Sequence, residues 1–476
     1  MIRAHSVADV RAAEAALMAK VPEGALMQRA ATGLAVLCSR LVDSVTHSRV
    51  VLLVGGGDNG ADTLFAGARL ARRGATVRAM LLSPDRVHEA GLAALRAEGG
   101  RIVDEAQALE EIARADLVVD GIVGIGGQPG LRPGAQRLAE AAADASALVV
   151  AVDLPSGVEV DTGKTPGPHV TADVTVTFGT HKVCHLVDPA AAACGEVRLV
   201  DIGLAPHIAP PAVEAVEAGD VTRMLPVPGR FDDKYSRGVL GLHVGAERYA
   251  GASVLAASAA ISSGAGMLRV LGPESVAARV RDACPQAVLA DGRVQAWLAG
   301  PGMDPEHART VVPPLLDSEV PGVLDAGALA AVTGELPSDV LLTPHAGELA
   351  RLLDTAREQI EEDRLGSVRA AAESLGATVL LKGATTLVAT PDGRVRANVT
   401  GTPWLATAGS GDVLAGIAGA LLAGGLTALD AASVAAHVHG RAGRLASGRA
   451  GAPSATDVLA AVPDALLSLR LEESGT

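Results

Sequence analysis

The chain is short of aromatic side chains: three Phe, two Trp and two Tyr in 476 residues. Base-stacking platforms for single-stranded nucleic acid are thereby all but excluded, and any core has to be built from Ala, Val, Leu and Ile. Basic residues are outnumbered as well, 40 Lys and Arg against 54 Asp and Glu, for a net charge of −14. That balance disfavours a nucleic-acid backbone or an anionic membrane as partner. A small phosphorylated ligand stays open, because a glycine loop or a helix N-terminus binds an anion even on an acidic protein. The four cysteines, Cys38, Cys184, Cys194 and Cys284, are scattered with no C-x-x-C, so neither a zinc site nor a disulfide framework is suggested. No apolar run reaches membrane-spanning length, the nearest being Leu414 to Leu426, and the first residues lack the apolar core of a signal peptide. A soluble, cytoplasmic protein is expected.

What is present is an α/β pattern. Short β-branched runs at Val50–Val54, Thr76–Leu82, Asp116–Asp120, Leu148–Asp153, Val174–Phe178 and Val197–Val200 alternate with Ala-rich stretches. The stretches Asp9–Lys20, Met27–Val42, Asp62–Arg73 and Gly134–Ala143 are expected to be helical, with Ser6 and Asp9 as a capping box. Strands alternating with helices imply a mainly parallel sheet covered on both faces. Five prolines between Ala205 and Arg237 then interrupt the pattern, and a second βα series follows. The chain length calls for more than one core. Two α/β domains are expected, residues 1–218 and 219–476, the first of them Rossmann-like.

Chemistry is expected where strands run into glycine. Val50–Val54 leads into Gly55, Gly57 and Gly60, which satisfy G-x-G-x-x-G. An acid to bind ribose is missing from the end of the next strand, however, and Asp58 and Asp62 would repel a pyrophosphate. Asp58 and Asn59 between glycines suit a hydroxyl or a cation better. Two further strands end in an acid, Asp120 ahead of Gly121–Gly127 and Asp153 ahead of Ser156 and Gly157. A lone Asp at such a place is more often a cap or a turn residue; three such strand ends together favour a ligand site.

In the second half, Ala408 to Asp412 (AGSGD) opens an apolar helix. Its amides and helix dipole suit a transferred phosphoryl group, and Asp412 is placed to take a proton from an attacking hydroxyl. Lys382, one of five lysines in the chain, and His345 beside Glu348 stand at two other strand ends. Either residue alone is more simply a solvated charge or a capping histidine. The three strand ends in this order are specific.

These motifs resemble a known family. The second half is similar to the ribokinase-like ADP/ATP-dependent NAD(P)HX dehydratases through Thr343 to Glu348 (TPHAGE), Lys382 to Thr386 (KGATT), Asn398 to Pro403 and Ala408 to Asp412. Tyr249 to Ser253, Ser263 to Gly266 and Ala299 to Met303 match two earlier motifs. The first half resembles the YjeF-type NAD(P)HX epimerase domain through Gly57 to Asp62, Asp120 to Gly130, Asp153 to Gly157 and Phe178 to Lys182. The resemblance covers nearly the whole chain in the fused order of a bifunctional repair enzyme. It implies that NADH and NADPH hydrated at the nicotinamide 6 position are epimerised by the first half. The second half would dehydrate the S form at the expense of ADP, with Mg²⁺ bridging the nucleotide phosphates.

The resemblance also implies roles. Lys382, Gly383, Ala384, Thr385, Thr386 and Gly411 would contact the adenine nucleotide, and Ala252, Gly302, His345 and Asp412 the hydrate, with Asp412 activating its hydroxyl. In the first half Asp58, Asn59, Gly60, Ala61 and Asp62, then Gly124, Ile125, Gly126, Gly127, Gln128, Pro129 and Gly130, and Asp153, would contact the hydrate. Asp153 would do the acid/base work, and Asn59, Asp120 and Ser156 would hold K⁺. The first loop departs from the family's usual Gly-Asn-Asn-Gly-Gly-Asp-Gly at Asp58, Ala61 and Thr63. A positive φ at Ala61 would cost about 1 kcal/mol or more, and Asp58 adds negative charge near a phosphorylated ligand; from this cluster of substitutions a weakened epimerase half beside an intact dehydratase half is expected. The rival readings are a hydroxymethylpyrimidine- or sugar-type kinase fused to a Rossmann-like module, and a first half that only binds or oligomerises. NADHX, NADPHX and ADP are the expected partners, with self-association into a homo-oligomer and with neither nucleic acid nor membrane.

Overall fold

The computed structural model describes residues 1–474 and divides into two compact units, Arg3–Val213 and Glu214 onward, the second also taking in Met1 and Ile2.

In the first unit seven strands form a sheet in the order Arg101–Val103, Thr76–Leu81, Arg49–Val54, Leu117–Gly121, Leu148–Val152, Val174–Phe178, Glu196–Val200. Every neighbouring pair is parallel. Side chains alternate across a strand, so Val50, Leu52 and Val54 enter one apolar cluster while Val51 and Leu53 enter the other. The continuous apolar runs are what a sheet buried on both faces requires. Helices Val7–Met18, Ala25–Leu41 and Pro133–Asp144 stand within a few residues of expectation. Ser6 caps the first of them, accepting from the Asp9 amide at 3.2 Å.

One helix differs in a way that matters. It runs from Asp58 to Arg72, four residues earlier than the sequence pattern suggested. Gly55, Gly56 and Gly57 end the strand, and Asp58 sits at the positive end of the helix dipole. The expected loop from Asp58 to Asp62 is therefore the first turn of a helix.

In the second unit Met267–Leu271, Val239–His243, Ala296–Ala299, Gly322–Leu324, Val340–Leu342 and Thr378–Leu381 pair in that order, all parallel. Thr386–Ala389 and Val395–Asn398 extend the sheet antiparallel. Helix Ser410–Ala423 is buried along nearly its whole length and packs against Ala250–Ser262. Small residues allow the approach: a side chain at Gly416 would run into the Ala256 carbonyl. The apolar stretch around Leu414 is thus a core helix, and among the described residues no helix is long and apolar enough to cross a membrane.

Candidate active sites

Strand ends in the first unit deliver Gly55, Asp120 and Asp153 to one edge of the sheet, as crossover topology dictates. Asp120 is fully buried; its carboxylate accepts from the Ser156 amide (2.8 Å), the Ser156 hydroxyl (2.7 Å) and the Ile122 amide (3.2 Å). Burial lifts its pKa to about 6 against the pull of the Ser156 bonds. Asn59 donates through Nδ2 to the Val152 carbonyl at 2.6 Å, which leaves its Oδ1 free to accept. Gly124 lies against that amide so closely that a side chain there would collide with it.

Asp153 adopts φ +69°, a left-handed conformation that Asp tolerates better than most residues. Its Oδ1 is ion-paired with Lys182 Nζ and accepts from Thr177 Oγ1 (3.0 Å) and the Phe178 amide (3.4 Å). Lys182 is 1% exposed and donates also to Thr177 Oγ1 and the Phe178 carbonyl. His185 accepts the Lys182 amide at Nδ1 and donates from Nε2 to the Asp153 carbonyl at 2.9 Å. Asp153 is fixed at both its side chain and its backbone.

Two cavities lie beside this edge, although neither Asp120 nor Asp153 is among the residues that line them. One, of about 990 Å³, is lined by Asp58, Asn59, Gly124 to Gly130, and the arginines Arg11, Arg86 and Arg132. Those arginines, from three separate segments, supply the positive charge that the first loop lacks. The second, of about 580 Å³, is lined by Glu14, Asp58 and Asp62 on one side and by Met18, Phe65, Phe178 and Ile202 on the other. Gly60 and Ala61 are buried and line neither cavity. Ala61 is helical and is not among the residues with positive φ, so the strain that its methyl raised does not arise. The third altered position, Thr63, is buried and donates to the Asn59 carbonyl at 2.7 Å.

The second unit gathers its groups around Lys382. Its Nζ lies 2.8 Å from Asp325 Oδ1 and 3.7 Å from Glu348 Oε2, and a side chain on Gly411 would come within 3.4 Å of it. Burial opposes its charge, but the carboxylates of Asp325 and Glu348 outweigh that and hold the ammonium above its usual range. Asp412, in the first turn of Ser410–Ala423, is raised to about 7 by burial and by Asp325, with Lys382 pulling the other way. Gly409 supplies the left-handed φ of +89° that turns the chain into this helix.

His345 caps helix Ala346–Leu352, its Nδ1 accepting from the amides of Gly347 and Glu348, and burial lowers its pKa. Arg364 braces the turn of Lys382 to Thr386, donating to the carbonyls of Lys382 (3.0 Å) and Thr385 (3.4 Å). Gly383 and Ala384 are exposed at its tip, whereas Thr385 and Thr386 are buried. Ala252 lies in the first turn of Ala250–Ser262, and the next residue, Ser253, donates to the Pro301 carbonyl at 3.1 Å, which brings Ala252 beside Gly302. Lys182 and Asp325 were not singled out from the sequence. No clear signal in the sequence marked the first, since its strand is only His181 and Lys182 and His181 is half-buried. An acid at the end of Gly322–Leu324 could have pointed to the second.

The family described as NAD(P)H-hydrate dehydratase matches residues 240–463, and that described as YjeF-related protein N-terminus matches residues 23–184. Bifunctional NAD(P)H-hydrate repair enzyme Nnr of Mycobacterium leprae is 44% identical over 93% of this chain and 94% of its own. Its counterpart in Mycobacterium tuberculosis is 45% identical over 90% of this chain and 91% of its own. The ADP/ATP-dependent NAD(P)H-hydrate dehydratase from Bacillus subtilis, co-crystallised with ATP/Mg²⁺, is 27% identical with a TM-score of 0.51. It covers 54% of this chain and 99% of that one.

Proposed function

The chain belongs to the family of bifunctional NAD(P)H-hydrate repair enzymes, and from that premise we propose that it epimerises R- and S-NAD(P)HX in its first unit. The second unit dehydrates the S form to NAD(P)H, with ADP going to AMP and phosphate. The observation that carries this reading is Asp412 at the N-terminus of a buried helix, its pKa near 7, beside the ammonium of Lys382. A hydroxyl is a poor leaving group until it is phosphorylated. Asp412 takes the hydroxyl proton, the amides from Ala408 onward face the charge on the phosphoryl group, and Lys382 offsets the nucleotide's charge. Ala252, Gly302 and His345 seat the hydrate; Gly383 to Thr386 and Gly411 seat the nucleotide.

Among the described residues no cluster of three or more His, Cys, Asp or Glu is placed for a metal. That fits Mg²⁺ carried by phosphates and water rather than by a protein cage, where it would offset phosphate charge. In the first unit Asn59 Oδ1, the buried Asp120 carboxylate and Ser156 Oγ form an oxygen-only set with no cation from the protein beside Asp120. Such a set suits K⁺, which would fix the Gly124–Gly130 loop against the substrate. Asp153 is the base of the epimerisation, with Asp58, Asn59, Asp62 and the Gly124–Gly130 loop as walls of the site.

The test is direct. Purified protein is incubated with mixed R- and S-NADHX, ADP, Mg²⁺ and K⁺, and both epimers are followed by chromatography. Consumption of both with return of NADH is expected; a stable phosphorylated product would point to a small-molecule kinase instead.

A further inference from the structure

Asp62 is 6% exposed, and among the described residues its Oδ1 has no hydrogen-bond partner. An unpartnered buried carboxylate costs far more than the neutral carboxylic acid in the same place. Asp62 lines the cavity of about 580 Å³, which has ample room for a heterocyclic ring and shares Glu14 and Asp58 with the larger, arginine-lined cavity. A dinucleotide can therefore lay its phosphates in the larger cavity and its hydrated ring in the smaller. The ring's carbon 6 bears both the hydroxyl and the ring nitrogen, so it is a carbinolamine. Such a centre inverts when the hydroxyl leaves as water and water returns to the other face.

We infer that Asp62 is the acid of this inversion and Asp153 its base, a reading that rests on the epimerase function proposed above. The proton of the Asp62 carboxyl passes to the carbon-6 hydroxyl. The C–O bond breaks with its electron pair going to oxygen, and water departs, leaving an iminium cation shared with the ring nitrogen. Water then adds to the opposite face, and its surplus proton goes to the Asp153 carboxylate. Transfer of that proton from Asp153 back to Asp62 restores both groups.

The surroundings favour each step. Burial, and then the charges of Asp153, Asp58 and Glu14, push Asp62 well above the ordinary carboxylate range, the direction a proton donor needs. Asp153 Oδ1 is held by Lys182, Thr177 and the Phe178 amide, while Oδ2 has no hydrogen bond among the described residues and is left to act as base. The acids lining the small cavity offset the positive charge that develops on the ring, as the Met18, Phe65, Phe178 and Ile202 side chains could not.

Two measurements test it on the full chain. Asp62→Asn is nearly isosteric with the neutral acid and should fold. It is expected to slow conversion of R- to S-NADHX by about 100-fold or more over the uncatalysed background, with dehydration of pure S-NADHX unchanged as the internal control. In H₂¹⁸O, wild-type turnover is expected to place ¹⁸O on carbon 6 at every inversion. Asp62→Asn epimerising within threefold of wild type, or inversion without ¹⁸O uptake, overturns the assignment while leaving the epimerase reading intact. A wild-type chain that dehydrates S-NADHX but does not interconvert the epimers brings down that reading, and the acid with it.

Discussion

Each unit buries a lysine against a carboxylate, and the two do so to different ends. In the first, Lys182 is paired with the base itself: Asp153 carries the ammonium, a hydroxyl and an amide on one oxygen. In the second, Lys382 is paired with Asp325, which is further held by the Thr343 hydroxyl at 2.8 Å, while the proposed base Asp412 feels the ammonium's charge without an ion pair to it among the described residues and has its pKa raised to about 7. A lysine locked on Asp153 holds that carboxylate in place; a lysine locked on a neighbour remains available to a phosphate while Asp412, raised to about 7, stays only half ionised at neutral pH. The difference matches the ligands, a hydrated ring on one side and a nucleotide phosphate on the other.

The comparison can be broken at four points. Asp412→Asn removes the proton acceptor of the second unit and is expected to cut S-NADHX dehydration by about 10³-fold or more while R/S interconversion persists; the two rates are measured on the same preparation. Lys182→Met leaves the Asp153 charge buried and unpaired. It should abolish epimerisation and lower the unfolding free energy of the first unit by about 3–5 kcal/mol, read by denaturant titration. Asp325→Asn acts on Asp412 through charge. Since Asp325 raises that pKa, wild-type kcat/KM for dehydration should fall as pH drops below about 7, where Asp412 is protonated. The variant's midpoint should move to lower pH. The smallest effect is expected from Ala61→Gly, which restores the family's glycine at a helical position: a loss of at most about 1 kcal/mol in stability, with epimerisation unchanged.

Most strands and the glycine turns were legible in the sequence, because β-branched runs ending in Gly and Asp leave few other structures open, but the short strands Arg101–Val103 and Val395–Asn398 were not. Nor was the helical start at Asp58: the run of glycines Gly55 to Gly57 just before it, with Gly60 inside it, reads as irregular, whereas the helix dipole favours Asp58 in the first helical turn. Groups that meet only through crossovers were also hidden. Asp153 and Lys182 lie 29 residues apart, Asp325 and Lys382 lie 57 apart, and Arg11, Arg86 and Arg132 converge from separate segments. No local pattern records such meetings. The altered first loop was legible, but its consequence was not, since Ala61 points into the core instead of toward a ligand.

The contact of Gly416 with the Ala256 backbone has a mechanical consequence. Ala252 and Asp412 ride at the N-termini of the two helices that meet there. With no side chain between the rods to compress or swing, the two ends keep a fixed spacing, as the jaws of a spanner do. A protein poor in aromatic wedges thereby gains a gauge for its substrate from the absence of bulk.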